Sequence, residues 1–332
     1  MQQRQLGKTG PKSFPLGLGC MGLSPDIYGP ADRQEALATL RMALDAEMNL
    51  LDTGDFYGMG HNEMLIAEGM KGVPRDQVLI SVKFGALRGP DSAWLGFDGR
   101  PAAVKNFVAY SLKRLDTDYI DIYRPARLDP TVPIEETVGA IADLIKAGYI
   151  RHIGLSEVGA ETIRRAHAVH PIADLQIEYS LISRGIEDKI LPTCRELGIG
   201  ITAYGVLSRG LISGHWNKER VIGKGDYRSF SPRFQDSNID QNLTLVEALR
   251  KIAADKGVSV AQIAIAWVLA RDPLIVPLIG ARRRERLSEA LGALEFTLTA
   301  DELAAIERAV PRGAAAGERY PEHGMATLDS ER

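Results

Sequence analysis

Residues 101–126 read PAAVKNFVAYSLKRLDTDYIDIYRPA, and this stretch contains the unit from which most of the chain is built. The first part, 101–115, has the pattern of a helix, whereas 119–126 is a short apolar run of the kind that forms a buried strand. The same alternation of helix and strand recurs along the chain. Such an alternation predicts parallel strands that pack against helices on the outside of one sheet.

Seven further strand-like runs accompany the one at 119–126. They are FPLGLGCMGL (14–23), NLLDTGDF (49–56), VLISVKFG (78–85), IRHIGLSE (150–157), ADLQIEYS (173–180), IGITAYGVL (199–207) and LIVPLIG (274–280). Eight such strands with right-handed crossovers predict a closed (β/α)8 TIM barrel. A doubly wound open sheet is the alternative, but no Gly-x-Gly-x-x-Gly turn follows the first strand.

The remaining segments suggest additions to one barrel domain spanning residues 1–332. LGKTG (6–10) predicts an N-terminal hairpin, and extra helices and long loops are expected in the C-terminal half. Residues 217–240 break the periodicity and predict a long loop that acts as a lid or is mobile. The polar residues 311–332 predict a C-terminal tail that either lies over the barrel mouth or extends freely.

Composition excludes several function classes. The chain has 332 residues and a net charge of −3, so no general attraction to nucleic acid or an anionic membrane is expected. No apolar run approaches the length of a membrane span, and the first residues lack the apolar core of a signal peptide. Cys20 and Cys194 indicate reduced thiols in a cytoplasmic protein. His167 and His170 are one helical turn apart with no evident third ligand, which argues against a metal enzyme.

Three ionisable residues lie at the ends of predicted strands, where barrels concentrate their chemistry. Asp52 and Tyr57 occur in LLDTGDFYG, and Lys83 occurs in SVKFG. Singly, each has a structural explanation: the Asp caps a turn, the Tyr packs and the Lys reaches solvent. Together they suggest a lysine held by a carboxylate beside a phenol, whose pKa the cation lowers from about 10. This arrangement predicts a tyrosine that donates a proton near neutral pH.

Seven segments together resemble the aldo-keto reductases, in order and spacing, over nearly the whole chain. They are LLDTGDFYG, SVKFG, YIDIYRPARLDP, IRHIGLSEV, LQIEYSLISR, ITAYGVLSRG and PLIGARRRERLSEALGAL. The resemblance implies a barrel that binds NADP without a Rossmann domain, passes hydride from the nicotinamide to a small-molecule aldehyde or ketone, and protonates the oxygen. It also implies that Tyr57 is the general acid, with Lys83 and Asp52 adjusting its pKa.

The resemblance also implies how one end of the cofactor is held. The carboxamide would bind to Ser156, Glu157 and Gln176, although many relatives have Asn in place of this Glu. Tyr204 would stack on the nicotinamide ring. The pyrophosphate would meet backbone groups of the segment LSRG, which departs from the usual SPLGRG of the family and consists of Leu207, Ser208, Arg209 and Gly210.

The basic run in GARRRERLSEALG has two explanations. A charge run is ordinarily a solvated face, but cations in the first turn of a helix oppose its dipole by about 0.3–1 kcal/mol each. Three successive arginines there are explained by a bound anion. The resemblance puts the adenosine 2′-phosphate at this position, which favours NADPH over NADH. The residues that it implies at this end of the cofactor are Gly280, Ala281, Arg282, Arg286 and Glu289.

The fourth strand departs from the family pattern. Most relatives end this strand with Tyr-x-x-His-Arg, and the histidine donates a hydrogen bond to the substrate oxygen. Here the aligned residue is Ala126, and no histidine occurs between His61 and His152. Arg127 is retained, and its expected partner is Glu157 on the adjacent strand, either as a structural ion pair or with a catalytic role.

The sequence predicts the substrate pocket in less detail than the catalytic and cofactor residues. Arg124 faces the same way as Ala126 one pleat below it. It either reaches up into the space of the missing imidazole or pairs with a carboxylate lower in the barrel. Aromatic side chains on loops near the mouth suggest an apolar or ring-containing carbonyl substrate, and packing within the loops explains them equally well. They are Tyr28, Trp94 and Phe97, with Phe230 and Phe234 as outer candidates.

Two functions follow from these observations. The first is a reductase without one hydrogen-bond donor, a loss of roughly 2.7–4 kcal/mol by analogy with an oxyanion hole. The second is an NADP(H)-binding sensor or interaction subunit with little turnover. Retention of Asp52, Tyr57 and Lys83 favours the first, because a binding module does not need a proton donor.

Overall fold

Eight parallel strands form a closed barrel in the computed structural model, which describes residues 3–25, 27–217, 219, 222–223 and 225–332. The predicted TIM barrel is confirmed, and the strands follow one another around it in chain order. They are β1 (Gly17–Gly19), β2 (Leu50–Gly54), β3 (Leu79–Phe84), β4 (Ile120–Pro125), β5 (Ile150–Ser156), β6 (Ile172–Glu178), β7 (Gly200–Tyr204) and β8 (Ile275–Ile279).

Helices cover the outside of the barrel. The strands are largely buried on both faces because one face meets these helices and the other fills the interior. The helix predicted over residues 101–115 is observed with those bounds. The helices are α1 (Arg33–Asp45), α2 (His61–Gly69), α3 (Pro101–Leu115), α4 (Ile134–Lys146), α5 (Ala160–Val169), α6 (Ile190–Leu197), α7 (Asp236–Lys256), α8 (Val260–Arg271), α9 (Arg284–Leu291), α10 (Ala300–Ala309) and α11 (Glu322–Met325).

The N-terminal hairpin closes the bottom of the barrel. Its strands Arg4–Gln5 and Lys12–Ser13 pair antiparallel, as predicted. Leu6, which is fully buried, packs with inward-facing strand residues such as Leu50 and Val276. The amide of Lys8 donates to the carbonyl of Gly198 at 2.7 Å, just before β7 begins. The opposite end, at the carboxyl ends of the strands, is left open for a site.

The loop after β7 is shorter than predicted. Residues 236–240 belong to α7, which starts about seven residues before its apolar pattern does. The buried side chain of Asn242 explains the early start, because it donates to the carbonyls of Arg233 and Ala316 and ties the first turns to the tail. Residues 218, 220, 221 and 224 of the predicted loop lie outside the described residues, so its lid role stays a prediction.

The C-terminal tail lies against the barrel mouth. Arg319 forms an ion pair with Glu157 at 2.8 Å, and Ser330 donates to the same carboxylate at 2.7 Å. The carboxylate of Asp329 accepts from the amide of Gly159 at 2.9 Å. Of the two alternatives for residues 311–332, the covering position is therefore the observed one. The division into a single domain stays a prediction.

No single helix of the described residues has the length and apolar character to cross a bilayer. The pair α7 and α8 meets the criterion of length and composition together, but the two helices bend by 89° where they join.

Candidate active site

A cavity of about 1300 Å³ occupies the open end of the barrel. Most of the predicted site residues line it. The lining residues predicted for catalysis and substrate are Tyr28, Asp52, Tyr57, Lys83, Trp94, Phe97, Ala126 and Arg127, together with Phe230. Those predicted for the cofactor are Ser156, Gln176, Tyr204, Leu207, Arg209, Gly210, Gly280, Arg282, Arg286 and Glu289. The predicted residues that do not line it are Arg124, Glu157, Ser208, Ala281 and Phe234.

Asp52 and Lys83 form a buried ion pair at the floor of the cavity. They come from the neighbouring strands β2 and β3, and only 4% of each residue is exposed. Asp52 also accepts hydrogen bonds from Ser81 at 2.9 Å and Gln176 at 2.7 Å. Burial lowers the pKa of Lys83, and the Asp52 carboxylate opposes that shift. The predicted lysine–carboxylate pair is therefore present.

Tyr57 stands above this pair in the turn after β2. The Lys83 ammonium lies 5.2 Å from the centroid of the Tyr57 ring. Burial raises the pKa of Tyr57 well above 10, Asp52 raises it further, and Arg127 opposes both. The predicted lowering of this pKa is wrong, because loss of hydration on burial outweighs the effect of Arg127.

Arg124 does not reach the site, contrary to its prediction as a pocket residue. It is fully buried inside the barrel and pairs with Asp174 on β6 at 3.0 Å. It also donates to Thr202 at 3.1 Å and Ser81 at 2.8 Å. An inward-facing guanidinium needs acceptors within the barrel because its charge is costly to bury alone. Of the two alternatives for Arg124, pairing with a carboxylate lower in the barrel is therefore the correct one.

Glu157 holds the tail rather than lining the cavity. Its fully buried carboxylate accepts from Arg319 at 2.8 Å, Ser330 at 2.7 Å and Tyr204 at 2.7 Å. Burial would raise the pKa of Glu157, but Arg319, the more distant Arg127 and the backbone amide of Glu178 hold it at about 2. The predicted direct pair with Arg127 is wrong, because the guanidinium from the tail occupies that carboxylate.

The nicotinamide end of the predicted cofactor site contains an unsatisfied polar atom. Ser156 lines the cavity, and its buried hydroxyl has no hydrogen-bond partner among the described residues. A buried hydroxyl without a partner is costly, and a ligand amide would satisfy it. Gln176 and Tyr204 line the same cavity. These residues fit a nicotinamide carboxamide and ring.

The phosphate end is rich in arginine, but its arginines have protein partners. Arg282 donates to the carbonyl of Tyr28 at 2.9 Å, and Arg286 donates to Glu289 at 3.2 Å. Glu289 also lies 2.8 Å from the ring nitrogen of His215. A phosphate bound here would therefore compete with carbonyl and carboxylate oxygens for these donors. The predicted contacts of Arg282, Arg286 and Glu289 with a nucleotide stay predictions.

Backbone contacts between residues 27–28 and residues 226–227 bridge the cleft between the nicotinamide end and the phosphate end of the predicted cofactor site. The amide of Tyr227, in the segment before α7, donates to the carbonyl of Ile27 at 2.8 Å, and Tyr28 pairs with Asp226 in an isolated bridge.

The pocket residues Trp94 and Phe97 lie on a second short strand pair, Ala86–Arg88 with Trp94–Phe97, rather than on an irregular loop.

Sequence reasoning missed the residues that the tail contributes. Tyr320 and His323 line the cavity, and the Tyr320 hydroxyl lies 2.8 Å from that of Tyr204. The available signal is GERYPEH at 317–323, where aromatic and charged residues interrupt a run of small ones. Nothing in that pattern indicates which strand ends the tail would meet.

Known proteins share both the sequence pattern and the fold of this chain. Residues 15–311 match the model of the aldo/keto reductase family. The chain belongs to that family. It is 41% identical over 322 residues to a probable aldo-keto reductase 1 of Glycine max, a match that covers 96% of this chain and 92% of the relative. The resemblance in the seven segments is thereby confirmed, and the chain is an oxidoreductase that acts on carbonyl compounds.

Solved structures of aldo-keto reductases superpose on the whole barrel. The glycerol dehydrogenase AKR11B4 from Gluconobacter oxydans is 29% identical, with a TM-score of 0.85 over 92% of this chain and 94% of that chain. The holo form of the aldo-keto reductase AKR11C1 from Bacillus halodurans is 28% identical, with a TM-score of 0.78 over 97% and 99%. Members of the family generally use a nicotinamide nucleotide.

Proposed function

We propose that this chain reduces an aldehyde or ketone to the alcohol with NADPH, and that Tyr57 donates the proton. The observation that carries the proposal is the buried Asp52–Lys83 ion pair beneath Tyr57 in one cavity. A bound NADPH would supply the hydride to the carbonyl carbon. The unsatisfied hydroxyl of Ser156 supports the nicotinamide position.

The raised pKa keeps Tyr57 protonated at neutral pH, although it makes the phenol a weaker acid than a free tyrosine. A phenol whose pKa lies well above neutral keeps its proton until the substrate oxygen becomes negative. An alkoxide is a far stronger base than a phenolate, so the transfer is downhill once hydride has arrived. The Lys83 ammonium then stabilises the phenolate, and Asp52 keeps that ammonium in place.

The choice of NADPH rests on the phosphate end. Arg282, Arg283 and Arg286 line the cavity at the start of α9, where the helix dipole and the guanidinium groups favour an anion. A 2′-phosphate bound there would draw Arg286 away from Glu289. NADH lacks that phosphate, so it would leave these cations without an anionic ligand.

The test is a pair of tyrosine variants. Tyr57→Phe deletes the proposed donor and is expected to lower kcat about 100-fold or more while NADPH affinity stays within about twofold. Tyr110→Phe, at an exposed position on α3 away from the cavity, is the matched control. NADPH oxidation with an aldehyde and ketone panel gives kcat, and quenching of protein fluorescence gives affinity.

Two outcomes would contradict the proposal. Near wild-type turnover by Tyr57→Phe would mean that another group provides the proton. Tight NADPH binding by the wild-type protein with no turnover on any carbonyl of the panel would favour the alternative of an NADP(H)-binding sensor or interaction subunit.

A further inference from the structure

Arg127 is a cation at the cavity wall whose nearest carboxylate influence, that of Glu157, acts through space without a direct ion pair. It is half-buried, it lines the cavity, and no carboxylate in the described part of the chain forms an ion pair with it. Its guanidinium donates to the carbonyl of Ala126 at 2.6 Å and, weakly, to the Tyr320 hydroxyl at 3.5 Å. A guanidinium has five N–H donors. Several of them therefore remain for a ligand.

The hydrogen bonds around Tyr320 have only one consistent direction. Tyr204 must donate to Glu157, which is an ionised carboxylate and can only accept. The Tyr204 proton is thus used, so Tyr320 is the donor in its 2.8 Å contact with Tyr204. Tyr320 can then only accept from Arg127. The hydroxyl protons of both phenols are used in hydrogen bonds within the protein. Of these three residues, Arg127 is therefore the one with N–H donors left for a substrate.

The space beside Arg127 is open and its neighbours are aromatic. Ala126 has only a methyl group, so its side chain fills little of the cavity next to Arg127. The ring of Phe56 contacts Tyr57 with 4.8 Å between centroids, and it contacts Trp94 with 5.7 Å. An apolar wall therefore runs from the proposed proton donor toward the cavity mouth.

From this arrangement, and on the basis of the proposed function, we infer that the substrate is a carbonyl compound with a carboxylate on an apolar or aromatic body. Arg127 binds the carboxylate, while Tyr57 faces the carbonyl oxygen. A carboxylate matches the planar fork of a guanidinium and accepts two of its hydrogen bonds. It also neutralises a cation that is poorly hydrated at a cavity wall, which a neutral carbonyl oxygen does not.

The test compares two aldehydes of the same body and different charge, 4-carboxybenzaldehyde and methyl 4-formylbenzoate. The wild-type protein is expected to prefer the carboxylate by about 30-fold in kcat/KM. Arg127→Met is expected to remove that preference through KM, with the ester changed less than about threefold. Arg127→Lys keeps the charge without the fork and should be intermediate. Arg164→Met, an exposed residue paired with Glu196, is the control for net charge.

Three results would overturn the inference. One is a wild-type protein that reduces both aldehydes equally well. Another is an equal fall in kcat on both aldehydes in Arg127→Met, which would assign Arg127 to the carbonyl oxygen in place of the missing histidine. The third comes from calorimetric titration of the NADP-loaded protein with benzoate. Equal affinity in the wild type and in Arg127→Met would exclude carboxylate binding by Arg127.

The binding measurement also separates the two proposals. If neither aldehyde is reduced but benzoate binding depends on Arg127, the proposed function fails and the carboxylate site stands. If both aldehydes are reduced without discrimination, the proposed function stands and the carboxylate site fails. If Arg127→Met does not fold, Arg127→Lys is measured in its place because it retains a cation at the wall. Its benzoate affinity is then expected to lie below that of the wild type.

Discussion

Replacing Arg124 by Met should destabilise the barrel strongly while changing the chemistry much less. Arg124 and Asp174 are both fully buried and lie 3.0 Å apart. Without the guanidinium, Asp174 keeps only the hydrogen bond from Thr202 at 2.7 Å. Removing one partner of a buried pair leaves an uncompensated charge, which costs about 3–5 kcal/mol in the free energy of unfolding.

Removing the charges of both Arg124 and Asp174 should restore much of the lost stability. The pair is itself imperfect, because the Arg124 Nε and one oxygen of Asp174 have no partner among the described residues. Arg124→Met combined with Asp174→Asn leaves no buried charge at this position. We therefore expect the double variant to recover at least half of the destabilisation, since replacing a whole buried pair is often close to neutral.

The cost of the single substitution should rise with pH. Burial raises the pKa of Asp174, and Arg124 opposes that shift, so the pKa rises further when Arg124 is absent. Between the unfolded and folded pKa values the folded chain holds the proton that the unfolded chain has lost. Stability therefore falls as pH rises through this window. The deficit of Arg124→Met should be smaller at pH 5 than at pH 8.

Urea unfolding, followed by circular dichroism, measures these differences. The kcat per folded molecule should change much less than the stability, because Arg124 does not line the cavity and meets the Asp52–Lys83 pair only through the Ser81 hydroxyl. A single variant within about 1 kcal/mol of the wild type, or a double variant no more stable than the single one, would refute the buried-pair reasoning. A large loss of kcat in a folded Arg124→Met would show that this guanidinium acts in the site after all.

Two further predictions concern the cofactor and the tail. Arg282→Ala should weaken NADPH binding about tenfold and leave NADH unchanged by fluorescence titration; equal affinities for the two nucleotides in the wild type would contradict the assignment. Glu157→Gln should release the tail, which limited proteolysis after Arg312 or Arg319 would report at pH 7. The Glu157 pKa is about 2 when folded, against roughly 4.3 when unfolded, so the stability from this carboxylate is lost as pH falls between these values. A pH profile of unfolding identical in wild type and Glu157→Gln would exclude that role.

The barrel was predictable because its signals are local. Each strand is a short apolar run and each helix has its own periodic pattern, so β4 and α3 could be recognised without knowing their neighbours. The Asp52–Lys83 pair was predictable for a related reason. Adjacent strands end at the same edge of a parallel sheet, and a lysine there needs a carboxylate.

The incorrect predictions involve competition between distant groups. The sequence places Glu157 and Arg127 near one another, but it does not reveal that Arg319, 162 residues further along, reaches that carboxylate first. The pKa of Tyr57 depends on how much water the finished cavity excludes, which no single segment encodes. The early start of α7 likewise depends on Asn242 meeting the tail.

The tail links these corrections to the chemistry of the pocket. Arg319 satisfies Glu157 directly, and Tyr320 is placed between Arg127 and Tyr204. Arg127 and Glu157 form no direct ion pair, but each favours the charged form of the other. The docked tail therefore sets the partners of Glu157 and, through them, the surroundings of Arg127. It follows that Glu157→Gln and Arg127→Met should affect carboxylate binding in ways that are not additive, because the first changes the partners available to the second.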